Sequence, residues 1–250
     1  MPAIEPITAL MALAFCAVHL FVEKLRFLDT EPRSRWLSFA GGVAVAYVFL
    51  HILPELGAHG TTFERALGIA RGAAEAWVYT LSLAGLALFY GVERAVVTSR
   101  GGRERGDGRR PGSGVFWLHI AASCLLIFII SYLLNHREDA TVGGLILFFV
   151  ALLLHFVTAD FASRADHPEI YDSAGRWALV AATLAGWITG LFVELPQIVI
   201  GCLFAFVGGA MVLVILKEEL PEERESRFLP FLLGATIYAA LVIGEFYLIE

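Results

Sequence analysis

The sequence predicts an all-α fold, a membrane-embedded bundle of eight transmembrane helices. Hydrophobic residues make up 58% of the 250 positions and charged residues only 17%, whereas soluble domains average about 45–50% and about 25%. The mean hydropathy of +0.73 is typical of a protein whose solvent is lipid. The apolar residues also fall into eight stretches, each near the ~20 residues that a helix needs to cross a bilayer.

The eight predicted helices are separated by short polar connections and form a single transmembrane domain over residues 1–250. Their approximate bounds are 5–26, 37–56, 74–97, 115–135, 141–163, 175–194, 197–217 and 228–249.

One connection, residues 99–114, is rich in glycine and arginine. This composition predicts a mobile cytoplasmic loop. Its arginines suit anionic lipid heads, but a role in setting the topology alone is the favoured interpretation. We expect no nucleic acid partner, because the loop is short and lies beside the membrane.

The distribution of basic residues predicts the orientation. If the spans alternate in direction, all but three of the 18 Lys and Arg residues lie on one side, and basic residues concentrate on the cytoplasmic side of membrane proteins. The exceptions are Arg65, Arg71 and Arg137. Both termini are therefore predicted to lie outside. A plasma membrane and a bacterial-type inner membrane both suit this integral, multi-pass chain.

Two segments of the chain match each other. Residues 39–55 read FAGGVAVAYVFLHILPE, and residues 206–222 read FVGGAMVLVILKEELPE. They belong to predicted helices 2 and 7, which cross the membrane in opposite directions. The match therefore predicts an inverted-topology repeat of helices 1–3 and 6–8, a feature of many secondary transporters; chance similarity of two apolar helices is the alternative. The pairs Gly41–Gly42 and Gly208–Gly209 should lie at close helix contacts.

Ionisable side chains within the predicted spans are candidates for a functional site, because such groups are costly in lipid and usually face a bundle interior or a cavity. From the rise per residue of a helix, we estimate that His119, His155 and Asp160 lie at about the same membrane depth as His19, in the inner half of the bilayer. The candidates are His19, His51, His119, His155, Asp160 and Glu245.

These residue types point to a metal site, with an interhelical hydrogen bond as the alternative for each histidine. Neutral imidazole suits zinc and other late divalent metals, and a carboxylate offsets their charge. We favour a site that includes His119 and His155. Asp160 lies about 140° around the helix from His155, and it is also four residues before Arg164, with which it could pair.

A second pair of candidates lies near the outer surface. His51 and Glu55 are four residues apart, so they share one helix face. They could form an entry site for a cation. The favoured interpretation is that Glu55 caps a helix broken at Pro54.

The sequence resembles the ZIP (Zrt/Irt-like) family of divalent metal transporters over nearly the whole chain. Helix 2, FAGGVAVAYVFLHILPE, is similar to the family's helix 2, which ends in a His-Leu-Leu-Pro-Glu type sequence. The segment GLALFYGVERAV resembles the end of the family's helix 3, and FVGGAMVLVILKEELPE resembles its Gly-rich helix 7. The resemblance implies eight spans, an inverted repeat and both termini outside.

The resemblance places a metal site on helices 4 and 5. In LHIAASCL, His119 stands at the family's His position and Ser123 at an Asp position. In HFVTAD, His155 stands at the first His position and Asp160 at the last Glu position. The metal site implied for this chain is thus reduced, with His119, His155 and Asp160 as ligands and Ser123 as a minor contact.

The function that follows is transport of a divalent metal ion, with zinc favoured, by motion of one helix group against another. The alternative is a ZIP-like membrane protein that moves no metal or another cargo and has a structural, sensing or partner-binding role. Transport predicts that His119 and His155 face a shared cavity. The alternative predicts that Ile120 and Phe156, which replace ligands of the family, fill that cavity.

Other classes of function find little support in the sequence. No nucleophile–base pair or His-Glu-x-x-His motif indicates an enzyme, and no resident cofactor is expected, the metal being cargo. Apart from the metal and the bilayer, the sequence is compatible with a homodimer as a further partner. The three cysteines, Cys16, Cys124 and Cys202, lie apart in apolar stretches and are expected to be small buried hydrophobes.

Overall fold

The computed structural model describes residues 5–24, 35–101, 113–136, 142–219 and 227–249, and the regular secondary structure of these residues is helical. The predicted loop at 99–114 lies largely outside the described residues. The helices are α1 (Glu5–Phe21), α2 (Arg35–Tyr47), α3 (Leu53–Leu67), α4 (Arg71–Gly101), α5 (Ser113–Leu133), α6 (Val142–Asp166), α7 (Pro168–Ile170), α8 (Arg176–Phe192), α9 (Gln197–Glu219) and α10 (Phe228–Ile249).

Within the described residues, seven helices are long and apolar enough to cross a membrane. The all-α fold is therefore confirmed for the described residues, and the seven helices indicate a multi-pass membrane protein. The predicted sixth span also forms a helix, but α8 has only 17 residues, about 25 Å. It ends at Phe192, because Val193 adopts an extended conformation ahead of the proline at position 196. A π-helical turn, Tyr171–Gly175, joins α8 to α7.

The second predicted helix differs from its prediction. We call the continuous helix that runs from α2 to α3 the second rod. We expected a helix broken at Pro54, but α2 continues through a π-helical turn, Val48–Ile52, directly into α3, and Pro54 stands in the first turn of α3. A proline clashes with the preceding turn and lacks an N–H, and the wider π turn accommodates it. The rod therefore ends only at Leu67, where Gly68 adopts a left-handed conformation with φ 63°.

Glycines let two pairs of helices approach closely. Between α2 and α10, a methyl group on Gly42 would overlap the carbonyl of Phe231, and one on Gly234 would overlap the carbonyl of Phe39. Helices α4 and α9 pack in the same reciprocal way, through Gly85 and Gly209.

Between α4 and α9, a methyl group on Gly85 would overlap the carbonyl of Phe206, and one on Gly209 would overlap the carbonyl of Ser82. Gly208 lies against Ile52 and Leu56. The predicted close contacts at Gly42, Gly208 and Gly209 are thus present, and small residues at helix interfaces are typical of membrane bundles.

Polar contacts join the helices at the two ends of the bundle, which we name the Thr8 end and the Lys217 end. At the Thr8 end, the Thr8 hydroxyl donates to Oδ1 of Asn135 (2.7 Å) and accepts from the indole of Trp187 (3.1 Å). At the Lys217 end, Arg176 pairs with Glu23 (3.4 Å), and Lys217 pairs with Glu93. Between the ends, apolar packing dominates.

The outer surface of the bundle is apolar. Large hydrophobic side chains on several helices are more than half exposed, among them Leu10 (68%), Leu83 (61%), Leu233 (57%) and Phe192 (81%). Soluble monomers rarely expose so many large apolar side chains together, whereas a helix in a membrane presents such side chains to lipid.

Candidate functional site

One cavity near the Lys217 end contains all four residues that the sequence analysis assigned to a metal. His119 and Ser123 reach it from α5, and His155 and Asp160 reach it from α6. Its volume is about 40 Å³, whereas a single water needs roughly 10–15 Å³ by the same measure. The cavity is therefore large enough for an ion with some of its hydration shell.

Helical periodicity explains why these residues meet. The stripe of α6 that lines the cavity comprises His155, Phe156, Ala159, Asp160 and Ser163, which follow the spacing of one helix face. His155 and Asp160 occupy the two edges of this stripe, so both can line one cavity although they lie about 140° apart on the helix.

His155 is the most deeply placed polar group of the cavity, with 2% of its surface exposed. Its Nδ1 has no hydrogen-bond partner among the residues that the structure describes. A buried polar atom without a partner is costly in a low-dielectric interior. An ion or water in the adjacent cavity would supply the missing partner.

Asp160 is held by a histidine of α1. Its Oδ2 lies 2.6 Å from Nδ1 of His19, and both side chains are buried, at 5% and 0% exposure. The hydroxyl of Tyr171 donates to the carbonyl oxygen of His19 (3.4 Å). Burial and the neighbouring Asp160 carboxylate raise the pKa of Tyr171, which therefore stays protonated.

The alternative pairing of Asp160 with Arg164 is wrong. The Arg164 guanidinium donates two hydrogen bonds, both 2.8 Å, to the carboxylate of Asp172. These bonds lower the pKa of Asp172, so the pair is ionised at neutral pH. Asp172 lies in the π-helical turn between α7 and α8, eight residues beyond Arg164 in the chain.

A second acid, Glu93 of α4, also lines the cavity. Its carboxylate pairs with the ammonium group of Lys217 from α9, and its Oε1 lies 3.7 Å from Nδ1 of His119. On the other side of His119, Nε2 lies 3.4 Å from the Ser163 hydroxyl. Glu93 was not among the candidate site residues that the sequence indicated.

The cavity bears features of both functional hypotheses. His119 and His155 line it together, as transport predicts. The ring of Phe156 forms part of its wall, as the alternative predicts, while Ile120 is buried beside Gly175. Within the described residues, no three His, Cys, Asp or Glu side chains converge closely enough to hold a metal ion.

Two smaller cavities lie toward the Thr8 end. The outermost, about 10 Å³, has polar lining residues from α3 and from the end of α5: Glu55, His59 and His136. The middle one, about 20 Å³, is lined by apolar and aromatic residues. The two share Leu133, Phe148 and Phe204.

The possible entry pair, His51 and Glu55, has further neighbours in the structure. Nδ1 of His51 lies 3.2 Å from the hydroxyl oxygen of Tyr238, and its ring stacks on Tyr47 at 5.5 Å. Glu55 lines the outermost cavity with His59. Sequence reasoning missed His59 because it ended the second helix at residue 56; the spacing of four residues from Glu55 to His59 was the signal available.

Comparison with protein-family models and with curated protein sequences finds no match to this chain. The resemblance to ZIP transporters therefore remains a prediction, carried by the motifs of the sequence.

Proposed function

We propose that this protein is a multi-pass membrane transporter of a divalent metal ion, similar to the ZIP family, with zinc as the favoured cargo. The supporting observation is the cavity itself. His119, His155 and Asp160 line it from two helices, and Nδ1 of His155 has no hydrogen-bond partner within the described residues. Imidazole and carboxylate together favour zinc and other late divalent metals over magnesium.

A series of cavities through the bundle supports transport over static binding. The outermost and middle cavities share three lining residues. The middle cavity also lies close to the cavity at the Lys217 end on three helices, α5, α6 and α9. On α6, for example, Leu152 lines the middle cavity and His155, one turn further along, lines the cavity at the Lys217 end. The two end cavities have polar lining residues and the middle cavity is apolar, so the three form an interrupted path along the bundle. Alternating access requires such an interruption, because the path must not be open to both sides at once.

The proposal includes the finer topology. We propose eight spans, with α8 as the short sixth, and both termini outside; the positive-inside rule then puts the Lys217 end in the cytoplasm. The reciprocal glycine contacts of α2 with α10 and of α4 with α9 support the inverted repeat, because a pseudo-twofold axis relating helices 2 and 7 would also relate these two pairs. Motion of one helix group against another would then expose the cavity to either side.

Zinc flux into proteoliposomes tests the proposal. We expect wild-type protein to carry Zn²⁺ and His155→Ala to reduce the flux at least tenfold, because it removes the central ligand. His167→Ala is the matched control, since His167 packs against Phe116 outside the cavity (ring centroids 5.1 Å) and should leave the flux unchanged. Size-exclusion chromatography of each variant verifies folding.

The alternative is a ZIP-like protein that moves no metal, and two observations favour it: Phe156 on the cavity wall, and the absence of converging ligands among the described residues. Under this alternative, the folded wild type carries no Zn²⁺, Mn²⁺, Fe²⁺, Cd²⁺ or copper. That result would contradict the transport proposal and leave a structural, sensing or partner-binding role.

A further inference from the structure

The balance of charge in the cavity at the Lys217 end decides which carboxylate could accompany a bound metal ion. A divalent cation in a low-dielectric cavity needs negative charge close by. Two acids line the cavity, Glu93 and Asp160, and Asp160 is already held by His19 at 2.6 Å. Glu93 is therefore the carboxylate that remains to neutralise a cation bound at His119.

The surroundings of Glu93 suit this role. Its side chain is only 11% exposed, and Oε1 lies 3.7 Å from Nδ1 of His119. An isolated carboxylate at this depth would be costly, so a cation must accompany it. In the structure that cation is the ammonium group of Lys217, which contacts Oε2 of Glu93.

The side chain of Lys217 is able to move away from Glu93. It stands in the last turn of α9, and its side chain is 44% exposed, whereas Glu93 is enclosed. An ammonium on a flexible four-carbon stem is strongly hydrated and can turn into solvent at little cost. A metal ion at His119 and the Lys217 ammonium would compete for one carboxylate, because two cations that share it repel each other.

We infer that Glu93 is a metal-binding carboxylate of the cavity, and that Lys217 is a tethered cation that occupies Glu93 when no metal is bound. Arrival of the metal displaces the ammonium group, and its return helps to release the metal at the Lys217 end. This inference rests on the proposed function, and it names the negative charge that the reduced site otherwise lacks.

Zinc titration of the purified protein, with a competing zinc-sensitive fluorophore at constant pH, tests the inference. Lys217→Gln should bind Zn²⁺ about tenfold more tightly than wild type, within the usual range of coupling between sites, because Glu93 loses its competitor. Lys217→Arg keeps a cation and should bind like wild type. Glu93→Gln should weaken binding, and Lys217→Gln should have no further effect in the Glu93→Gln background.

Arg164→Gln is the matched control. It removes another ion pair at the same end of the bundle, with Asp172, and should leave the zinc affinity unchanged. A purely structural Lys217–Glu93 pair would make the two single variants equally unstable and would not tighten binding.

The outcomes separate the inference from the proposed function. If wild type binds Zn²⁺ and Lys217→Gln binds it equally or more weakly, the inference is wrong and the proposed function stands. If neither protein binds Zn²⁺ although both are folded, both ideas are wrong. Binding by Lys217→Gln but not by wild type would support Lys217 as the occupant of Glu93 and would count against transport by the natural protein.

Discussion

Two acidic residues at the Lys217 end illustrate how burial decides the role of a side chain. Asp160 is 5% exposed and bonds a fully buried histidine, His19. Asp172 is 28% exposed and forms a bidentate pair with Arg164. If the Asp172–Arg164 pair breaks, water can take over its hydrogen bonds, but water cannot reach the buried Asp160–His19 pair. The first pair should therefore matter more for stability.

Substitution of these acids by alanine measures the difference. Asp160→Ala leaves the His19 imidazole buried without its acceptor, which should cost about 1–3 kcal/mol of stability. Asp172→Ala breaks a partly exposed pair and should cost less than about 1 kcal/mol. Thermal unfolding in detergent compares them; equal shifts in the midpoint would show that the buried pair contributes nothing special.

Helix pairs in this bundle are set by glycines at two reciprocal contacts. Gly85 of α4 and Gly209 of α9 let each backbone approach the carbonyls of the other, as Gly42 and Gly234 do for α2 and α10. Lipid provides little hydrophobic drive for helices to associate, so close van der Waals packing contributes much of the attraction. These four positions should tolerate no larger residue.

Two glycines of the same helix provide a matched test. Gly85→Ala places a methyl group on the carbonyl of Phe206, and overpacking of this kind costs about 1–3 kcal/mol. Gly91→Ala meets no atom of the described structure within 4 Å, and it should be neutral or stabilising by at most about 1 kcal/mol. The thermal midpoint should therefore fall for the first variant only.

The helices could be predicted from the sequence because a spanning helix depends on its own apolar length. The exceptions arose where backbone geometry intervenes. A proline usually ends a helix, and nothing in the sequence around Pro54 predicts the π-helical turn at Val48–Ile52 that carries the helix onward. The extended backbone at Val193 similarly shortens α8.

The site was predictable only in part. Depth along the predicted spans was enough to select His119, His155 and Asp160, and the family resemblance added Ser123; all four line one cavity. The partners of these residues depend on which helices are neighbours, and spacing along one chain does not encode that. Neither the His19–Asp160 bond nor the Glu93–Lys217 pair could therefore be predicted.

At the scale of the whole molecule, the alternation of helices makes the proposed topology testable. In a background without the three native cysteines, Ala66→Cys introduces a thiol at the Thr8 end, and Ser173→Cys introduces one at the Lys217 end. Both positions are exposed. If the Thr8 end faces outward, a membrane-impermeant maleimide should label position 66 in intact cells and position 173 only after lysis.

Equal labelling of both positions in intact cells would contradict this topology. The reverse pattern would mean that the positive-inside rule fails for this chain and that the cavity of about 40 Å³ opens outward. Because Ala66 is exposed in the last turn of α3 and Ser173 is exposed in the π-helical turn before α8, neither substitution should perturb folding.

The apolar middle cavity has a consequence for the cell's energetics. Its lining of aliphatic and aromatic residues with Gly208 offers almost no groups to which water could hydrogen-bond, and such cavities stay dry. Protons cross membranes along files of hydrogen-bonded water, so a dry segment interrupts conduction. In this conformation the protein would therefore sit in an energised membrane without leaking protons or dissipating the membrane potential.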